Sequence, residues 1–369
     1  MKQISVLVKP ASSLCNMRCR YCFYEDESAC RSVASYGRMT RETAQAVIRR
    51  VIGWADEVTF GFQGGEPTLA GLPFFEWFAD RAEQTAAAQH RPVAVHYTLQ
   101  TNGLLLDEAW CAFLSRRRFL VGLSLDGDAE THDRCRPDAR GQGTFSRVWR
   151  ARELLDAFGV DYNLVWVLTE ETARSPERVW DFLVRADVRY VQFIPCLGPL
   201  DDTPSPDQLS PERFCSFYTT LYRLWDRELR AGRYRSVKFF DDLLNLLLYR
   251  RVTACGFTGR CAMQFVVEAD GSVYPCDFYV LDRWRCGSFR ENTVEELQEA
   301  ARGFLCRDRQ LPDRCLSCRW KGFCGGGCVR QRSSMYVSPD GSFCGYGAFL
   351  ERNEQAILRT AALLQRING

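Results

Sequence analysis

Residues 15–22 read CNMRCRYC, so three cysteines (Cys15, Cys19 and Cys22) lie close together near the start of the chain. Three thiolates at this C-x3-C-x2-C spacing can bind three irons of a cubane [4Fe–4S] cluster, because soft sulfur ligands suit iron. No fourth cysteine follows at cluster spacing, so one iron is left open for a ligand from outside the protein. A zinc site or three unrelated thiols are the alternatives, although structural zinc sites use four ligands and no histidine lies nearby.

The composition around this motif is that of an ordinary globular chain, except for its cysteines. The 369 residues are 46% hydrophobic and 25% charged, and the formal net charge is only +2. This balance argues against a nucleic-acid-binding protein, and no apolar run approaches the roughly 18 residues of a membrane span. The 18 cysteines occur without a recognisable export signal, which favours bound metal over a secreted disulfide framework. We therefore expect a soluble, cytoplasmic protein with no nucleic-acid or membrane partner.

The first two-thirds of the chain alternate between strand-like and helix-like stretches. Thr40 is the predicted N-cap of a helix that follows the cysteine motif, and Asp107 can cap a later helix. About six strand–helix units argue for an α/β fold whose parallel sheet curves as a complete or partial barrel. In such a fold the chemistry lies in the loops after the carboxyl ends of the strands. The predicted strands are residues 4–8, 58–62, 93–98, 119–124, 161–168 and 190–194.

The pattern changes in the last third of the chain. Regular periodicity fades between Cys255 and Cys344, where turns and cysteines dominate. Because such a region buries little apolar surface per residue, it usually depends on metal or disulfide cross-links. The change falls just after a predicted amphipathic helix at residues 211–230, and a final helix is predicted over residues 349–366. We therefore expect two domains, residues 1–235 and residues 236–369.

The cysteine motif, with Tyr21 before its third cysteine, resembles that of the radical S-adenosylmethionine (SAM) superfamily. In that superfamily the amino and carboxylate groups of SAM chelate the open iron, and an electron from the reduced cluster cleaves SAM to methionine and a 5′-deoxyadenosyl radical. The resemblance implies a partial (β/α)6 TIM-like barrel. It also favours the open-cluster interpretation of Cys15, Cys19 and Cys22 over zinc, with Tyr21 among the residues near the cofactor.

Further residues follow successive predicted strands and match positions where members of the superfamily contact SAM. Gly65 and Glu66 lie in a Gly-Gly-Glu-Pro turn, where the SAM amino group can approach the Gly65 backbone and Glu66 offers an acceptor to an ammonium. Ser124 and Arg136 fall where relatives contact the SAM carboxylate and ribose, and Leu197 falls where they touch the adenine. Each residue alone could be structural, and their order along the chain supports the functional interpretation.

A second set of eight cysteines resembles the SPASM extension, which holds two auxiliary [4Fe–4S] clusters. The resemblance assigns one complete tetrad to a cluster nearer the active site and the other to a cluster farther away, so neither has an open iron. Two structural zinc sites are the alternative that the same thiolates could form. The nearer tetrad is Cys255, Cys261, Cys276 and Cys328, and the farther tetrad is Cys315, Cys318, Cys324 and Cys344.

Seven cysteines remain without an assigned role. Cys111 and Cys215 lie in amphipathic helical stretches, which predicts small core residues. Cys30 and Cys135 are predicted to be surface thiols. The other three are Cys196, Cys286 and Cys306.

Five motifs narrow the resemblance to the anaerobic sulfatase-maturating enzymes, over nearly the whole chain. They are KPASS (residues 9–13), CFY (22–24), FQGGEPTLAG (62–71), LQTNG (99–103) and YPCDFY (274–279). Members of this family convert a cysteine or serine of an unfolded or nascent sulfatase, in a Cys/Ser-x-Pro/Ala-x-Arg segment, into Cα-formylglycine. The resemblance implies three [4Fe–4S] clusters, SAM and an electron donor such as flavodoxin or ferredoxin, and we expect a monomer.

Asp277 directly follows Cys276, so it should lie beside the nearer auxiliary cluster. Locally it could equally be a turn-capping residue, but the family resemblance implies that it is the general base for the substrate sulfur or oxygen. The adenosyl radical would remove hydrogen from the substrate Cβ, and loss of one more electron to the nearer cluster would give a thioaldehyde or an aldehyde. Three further side chains are expected on the substrate side: Tyr24, Gln63 and Gln100.

Two other functions remain open from the sequence alone. Relatives with the same scaffold modify ribosomally made peptides, giving thioether, carbon–carbon or epimerised products. From another class, the chain could be a non-catalytic iron–sulfur electron carrier, which would neither bind nor cleave SAM.

Overall fold

The computed structural model describes residues 1–307 and 310–368. The chain divides into two compact units that interleave along the sequence. Unit 1 comprises Met1–Leu125, His132–Asn163 and Ala262–Arg307, and unit 2 comprises Asp126–Thr131, Leu164–Cys261 and the described part of Asp308–Gly369. The division of the sequence into domains at residue 235 stays a prediction.

Ten strands and fourteen α-helices make up the described part of the chain. The strands are β1 (Gln3–Val8), β2 (Glu57–Phe62), β3 (Ala94–Thr101), β4 (Leu120–Ser124), β5 (Tyr162–Leu168), β6 (Tyr190–Pro195), β7 (Ser236–Val237), β8 (Val266–Val267), β9 (Ser272–Tyr274) and β10 (Gly287–Ser288). The helices are α1 (Phe23–Ala29), α2 (Arg41–Trp54), α3 (Leu72–Ala87), α4 (Glu108–Arg116), α5 (Ala129–Cys135), α6 (Phe145–Ala157), α7 (Pro176–Arg185), α8 (Pro211–Arg230), α9 (Lys238–Tyr249), α10 (Val294–Ala300), α11 (Arg302–Leu305), α12 (Asp313–Leu316), α13 (Lys321–Cys324) and α14 (Gly345–Asn368).

In unit 1 the strands lie in the order β10–β9–β8–β1–β2–β3–β4. Strands β1 to β4 are parallel, β8 joins β1 in parallel, and β8, β9 and β10 are antiparallel. Val8 pairs with Phe62, and Phe62 pairs with Leu99, so β1 and β2 end together while β3 runs slightly farther. The loops after these strands therefore meet at one edge of the sheet, where α/β folds place their chemistry.

In unit 2, β5 pairs in parallel with β6, and β6 pairs in parallel with β7. The apolar interior of this unit is largely aromatic. Tyr222 packs edge-on against Phe240 with ring centroids 5.1 Å apart, and Trp225 lies 5.2 Å from the same ring. The hydroxyl of Tyr222 on α8 shares a hydrogen bond of 3.0 Å with Thr360 on α14. A buried tyrosine needs such a partner for its hydroxyl group.

The core of unit 1 is built where β2 meets the helix that follows it. Phe60 and Phe62 on β2 each pack edge-on against Phe78 on α3, with ring centroids 5.0 Å apart. Tyr97 on β3 stacks on Phe119 at 4.9 Å. Residues i and i+2 of a strand point to the same face, so Phe60 and Phe62 of β2 both pack against α3.

The expected alternation of strands and helices is confirmed, and so are both predicted helix caps. Thr40 Oγ1 accepts a hydrogen bond from the Thr43 amide (3.2 Å), and Asp107 Oδ1 accepts one from the Trp110 amide (2.9 Å). Strand β3 extends three residues beyond its predicted end, because Thr101 still pairs with Leu123 of β4.

Several elements were not predicted from the sequence, chiefly α1, α5 and α9, whereas Gly271 was expected to allow the turn between two strands that the β8–β9 hairpin makes. Helix α1 has the acidic sequence FYEDESA, which carries no apolar periodicity. The hairpin turns at Gly271, whose φ of +90° is the left-handed region that favours glycine. Among the described residues, no helix is both long enough and apolar enough to cross a membrane.

Replacing Phe78 by alanine is expected to lower the free energy of unfolding of unit 1 by about 3–5 kcal/mol, because the fully buried ring fills the space between α3 and β2. Urea unfolding followed by circular dichroism measures the loss. Leu105→Ala is the control, since Leu105 is 40% exposed and its truncation should change stability by no more than about 0.5 kcal/mol. Equal effects of the two substitutions would contradict this description of the core.

Candidate functional site

The loop after β1 carries Cys15, Cys19 and Cys22. Cys15 Sγ accepts a hydrogen bond from the Met17 amide (3.4 Å), and Cys19 Sγ lies 3.9 Å from a guanidinium nitrogen of Arg136. Burial raises the pKa of Cys15 to about 11, and negative charge on Cys22 contributes in the same direction. Burial also raises the pKa of Cys22, whereas Arg136 lowers it. The three sulfurs therefore share one partly buried region beside Arg136.

The turn after β2 packs directly against this cysteine loop. A Cβ atom on Gly65 would lie 2.2 Å from the carbonyl oxygen of Leu14, so only glycine fits there. The Gly65 amide donates to the carbonyl of Ser12 (2.9 Å), and the Glu66 amide donates to the carbonyl of Leu14 (2.8 Å). Two backbone hydrogen bonds thus fix the glycine turn one residue away from Cys15.

The carboxylate of Glu66 is 1% exposed and already engaged by the protein. Its Oε1 accepts from the hydroxyls of Thr68 (2.6 Å) and Thr101 (2.8 Å), and its Oε2 accepts from the Asn102 amide (2.7 Å). Burial raises the pKa of Glu66, and these donors oppose the rise. Glu66 therefore clamps the loop after β2 to the end of β3, while its contact with a cofactor stays a prediction.

The other predicted SAM contacts are Ser124, the pair Arg136 and Tyr21, and Leu197. Ser124 ends β4 and accepts a hydrogen bond from Gln100 Nε2 on β3 (3.0 Å). The guanidinium of Arg136 lies 5.4 Å from the ring centroid of Tyr21, which is a cation–π contact. Leu197 follows β6 and belongs to unit 2. The structure thus groups Tyr21 and Arg136 with the cysteine motif in unit 1.

Asp277 follows strand β9 and is 5% exposed. Its Oδ2 accepts hydrogen bonds from Tyr24 Oη (2.8 Å) and Gln63 Nε2 (2.7 Å), and its backbone amide donates to Gln264 Oε1 (2.8 Å). Its Oδ1 is buried and accepts no hydrogen bond from any described residue. One carboxylate oxygen is therefore fixed in place, and the other is available as an acceptor.

Lys9 lies at the end of β1 and faces Asp277 Oδ1 at 3.5 Å. The same ammonium lies 3.4 Å from Glu27 Oε2 and 3.9 Å from Glu268 Oε1, and Arg31 donates to Glu268 over 2.6 Å. Sequence reasoning assigned these four neighbours of Asp277 no role. The available signal in the sequence was a charged residue next to an apolar strand. Lys9 directly follows β1, and Glu268 directly follows β8.

The farther cysteine tetrad is assembled within unit 2. Burial raises the pKa of Cys344 to about 11, and charge on Cys324, Cys315 and Cys318 adds to the rise, so the four sulfurs lie within electrostatic range of one another. The chain turns sharply after Cys324 through three glycines in succession, all with positive φ: Gly325 (+54°), Gly326 (+79°) and Gly327 (+67°).

The grouping of four cysteines into the nearer tetrad stays a prediction. Cys255, Cys261 and Cys328 belong to unit 2, and Cys276 belongs to unit 1. A Cβ atom on Gly256 would lie 2.6 Å from Cys328 Cβ, so the residue after Cys255 abuts Cys328. Among the described residues, no group of three or more Cys, His, Asp or Glu side chains is arranged to hold a single metal ion. A cubane differs from a single ion because each thiolate binds a separate iron.

None of the 18 cysteines, all of which are described, forms a disulfide bond. Cys111 and Cys215 are fully buried on α4 and α8, as expected of small core residues, and Cys30 is exposed. The prediction of a surface thiol at Cys135 is wrong, since this residue is 4% exposed. Cys135 ends α5, and its carbonyl accepts the Arg20 amide (3.1 Å), which draws it towards the cysteine loop.

Two family models match the chain. The model described as the radical SAM superfamily matches residues 10–183, and the model described as an iron–sulfur cluster-binding domain, SPASM, matches residues 255–319. These segments contain the cysteine trio and five of the eight carboxyl-terminal cysteines of the two predicted tetrads. They confirm the expected fold class, an α/β partial barrel followed by a cysteine-rich SPASM segment.

Curated relatives match over most of the chain. The cysteine-type anaerobic sulfatase-maturating enzyme of Clostridium perfringens (strain 13 / Type A) is 42% identical over 90% of this chain and 91% of its own length. The serine-type anaerobic sulfatase-maturating enzyme of Klebsiella aerogenes is 32% identical over 88% of this chain and 79% of its own. The solved structure of native anSMEcpe with bound AdoMet and Kp18Cys peptide is 39% identical, with a TM-score of 0.89, and covers 98% of this chain and 99% of its own.

Replacing Gly65 by alanine is expected to destabilise unit 1, because the new Cβ would collide with the Leu14 backbone rather than with a side chain that can move. Thermal unfolding should show a lower melting temperature, by about 2–4 °C for each kcal/mol lost in a unit of this size. Gly53→Ala on α2 is the matched control, because a Cβ at Gly53 meets no atom within 4 Å and alanine favours a helix. The idea fails if both substitutions leave the melting temperature unchanged or raise it.

Proposed function

The chain belongs to the family of anaerobic sulfatase-maturating enzymes, and from that premise we propose that it oxidises a cysteine of a sulfatase to Cα-formylglycine. It is a radical SAM oxidoreductase with a SPASM domain. A serine is the other substrate in this family, and cysteine is favoured because the cysteine-type relative is 42% identical and the serine-type relative 32%. The single observation that carries the proposed chemistry is the buried Oδ1 of Asp277, which accepts no hydrogen bond from the described residues and faces the Lys9 ammonium at 3.5 Å.

The cofactors are three [4Fe–4S] clusters and SAM, which when bound supply a 5′-deoxyadenosyl radical able to abstract hydrogen from the substrate Cβ. We propose that Cys15, Cys19 and Cys22 hold the SAM-binding cluster. The shared region of their three sulfurs beside Arg136 supports this assignment. The proposed auxiliary ligands are Cys255, Cys261, Cys276 and Cys328 in the nearer tetrad, and Cys315, Cys318, Cys324 and Cys344 in the farther one.

The proposed SAM-binding residues all lie in loops after strands. Gly65 lies in the turn that packs against the loop before Cys15, and the Arg136 guanidinium beside Tyr21 offers a cation to a carboxylate. Ser124 offers a hydroxyl at the end of β4. The remaining two members of the proposed set are Glu66 and Leu197.

Asp277 is proposed as the general base. A cysteine thiol has an ordinary pKa of about 8.5, so its sulfur is mostly protonated at neutral pH and a positioned base is needed. Tyr24 and Gln63 hold Oδ2, and Oδ1, which accepts no hydrogen bond from the described residues and has the Lys9 ammonium 3.5 Å away, is the oxygen proposed to take the proton. In all, the substrate loses a hydrogen atom from Cβ, a proton from sulfur to Asp277, and one electron to an acceptor of the iron–sulfur class. Water then hydrolyses the thioaldehyde to the aldehyde, and the sulfur leaves as hydrogen sulfide.

The enzyme acts on a sulfatase substrate. We propose that it meets this substrate as an unfolded or nascent segment with the pattern Cys/Ser-x-Pro/Ala-x-Arg, and the peptide bound in the related solved structure supports this choice. We further propose a cytoplasmic monomer that receives electrons from flavodoxin or ferredoxin. The lack of disulfide bonds among 18 cysteines supports a reducing compartment.

Asp277→Asn should reduce formylglycine formation by roughly 10²–10⁴-fold, because the amide keeps the shape of the side chain but cannot take the proton. Mass spectrometry after anaerobic incubation with SAM, dithionite and a Cys-x-Pro-x-Arg peptide measures the product. Iron content and SAM cleavage should persist. Asp181→Asn, on the exposed face of α7, is the matched control and should keep full activity. Unchanged turnover in the Asp277 variant would remove this residue from the mechanism.

Simultaneous replacement of Cys15, Cys19 and Cys22 by alanine should abolish SAM cleavage and retain about two-thirds of the iron, since two complete tetrads remain. Iron analysis and detection of 5′-deoxyadenosine measure the two effects. Cys30→Ala changes an exposed cysteine outside all three ligand sets and should keep both at the normal level. Complete loss of iron, or zinc in place of iron, would contradict the ligand assignment.

A further inference from the structure

The loop after β6 carries Leu197, the residue proposed to contact the adenine of SAM, and the two ends of this loop lie side by side in unit 2. Cys196 directly follows β6, and its carbonyl accepts a hydrogen bond from the amide of Leu209, where the loop returns (3.2 Å). A Cβ atom on Gly198 would lie 2.4 Å from Gln208 Oε1, so the two ends leave no room for a side chain there. We call Cys196, Gly198, Gln208 and Leu209 the neck of the loop.

A segment that follows Cys328 in the chain is hydrogen-bonded to both sides of the neck. Three side-chain hydrogen bonds join the two, and the residues that they join are 125 to 138 positions apart in the sequence. They run from Ser334 Oγ to the carbonyl of Cys196 (2.9 Å), from Arg330 to the carbonyl of Gly198 (2.6 Å) and from Gln208 Nε2 to Ser333 Oγ (3.1 Å). The neck is therefore held by a distant part of unit 2.

The backbone that carries Ser334 is unusual. Residues Arg332–Tyr336 form a π-helical turn, in which the backbone hydrogen bond spans five residues and not four. Such turns are rare and are frequently found at functional sites. Ser334 is fully buried here, and the Cys196 carbonyl to which it donates already accepts the amide of Leu209. Ser334 therefore occupies the second acceptor position of the carbonyl that closes the loop.

The rest of the loop has little apolar packing of its own. Residues 198–207 read GPLDDTPSPD, and none of them is buried. Holding such a segment in one conformation costs conformational entropy, which the bonds at the neck must offset. Without them, Leu197 would spend part of its time in positions that do not meet a ligand. The apparent affinity for that ligand falls in proportion to the fraction of molecules in the competent conformation.

We propose that Ser334 and Arg330 are positioning residues for SAM: they fix the neck of the loop, so that Leu197 is held ready to contact the adenine before SAM binds. This proposal rests on the proposed role of Leu197 as a SAM contact. It adds two residues that act through the loop and do not touch SAM themselves. The segment after Cys328, a proposed cluster ligand, thereby also serves the binding of SAM.

Ser334→Ala is the decisive variant, because it removes one hydroxyl group and its hydrogen bond without adding bulk. The dissociation constant of SAM for the holoenzyme should rise roughly three- to tenfold, as expected for the loss of one hydrogen bond. Equilibrium dialysis under anaerobic conditions measures it, without reductant so that SAM is not cleaved. Ser216→Ala is the matched control, since it removes a hydroxyl that donates to the Arg213 carbonyl on α8 (3.0 Å), and it should keep the wild-type affinity. Wild-type affinity in Ser334→Ala overturns the proposal.

Steady-state kinetics separate positioning from a general structural role. In Ser334→Ala the KM for SAM should rise by about the same three- to tenfold factor as the dissociation constant. The value of kcat at saturating SAM, the KM for the Cys-x-Pro-x-Arg peptide and the iron content should stay at the wild-type level, because the reacting groups and the clusters are untouched. A lower kcat or a loss of iron, with an unchanged KM for SAM, would show a structural role and contradict the proposal.

Arg330 gives an independent arm of the same test. Arg330→Met removes the donor to the Gly198 carbonyl and should also weaken the binding of SAM, whereas Arg330→Lys keeps a cationic donor and should restore part of the affinity. Arg352→Met, on the exposed face of α14, is the control and should bind SAM normally. Equal weakening by Met and Lys at position 330 would contradict the role of this hydrogen bond. If Ser334→Ala does not fold, the two variants of Arg330 decide the outcome.

Hydrogen exchange followed by mass spectrometry tests the neck without any turnover. Peptides from residues 196–209 should exchange faster in Ser334→Ala than in the wild-type holoenzyme, because the closed loop opens more often. Peptides from α8 should exchange at the same rate in both proteins. Unchanged exchange in residues 196–209 overturns the proposal.

Leu197→Ala distinguishes failure of this proposal from failure of the function on which it rests. If Leu197→Ala binds SAM as tightly as the wild type, the proposed adenine contact fails and the role of Ser334 and Arg330 fails with it. If Leu197→Ala weakens the binding of SAM but Ser334→Ala does not, only the positioning role fails. None of these binding measurements depends on conversion of the peptide, so failure of the proposed function is seen separately, as normal SAM binding without formylglycine.

Discussion

The ammonium group of Lys9 has almost no contact with solvent, and the packing of unit 1 around it follows from that fact. A buried charge without a partner costs several kcal/mol, so carboxylates must be brought to it from other parts of the chain. They come from α1 (Glu27), from the residue after β8 (Glu268) and from the segment after β9 (Asp277). The same ion pairs that neutralise Lys9 therefore carry Asp277 to the end of β1, where the cysteine loop begins.

A second buried carboxylate organises the neighbouring loops. Glu66 accepts hydrogen bonds from the loop after β2 and from the end of β3, while Gly65 presses against the backbone just before Cys15. Radical chemistry requires the reactive groups to be held close together before the reaction starts, since misplacement by an ångström lowers the reaction rate strongly. The two buried networks, around Lys9 and around Glu66, provide this rigidity, and the network around Lys9 also contains Asp277, the proposed base.

The features that the sequence predicted well are those decided by neighbours along the chain. The caps at Thr40 and Asp107 and the alternation of strands and helices depend on residues a few positions apart. The features it missed depend on distant partners. Helix α1 shows no apolar periodicity, because one of its inward-facing residues is Glu27, whose partner is Lys9. Cys135 was placed at the surface because nothing nearby in the sequence indicates its contact with Arg20.

The sequence by itself therefore determined the class of fold and the family, and it singled out the cysteine sets and Asp277 as candidates, since ligand spacing and family motifs can be read without the tertiary structure. Only the tertiary structure decided which oxygen of Asp277 is held by Tyr24 and Gln63 and which remains available. It alone also placed Glu27 beside Lys9. The physical reason is that the partners of a buried charge are the groups packed around it. Here those groups come from segments more than 200 residues apart in the chain.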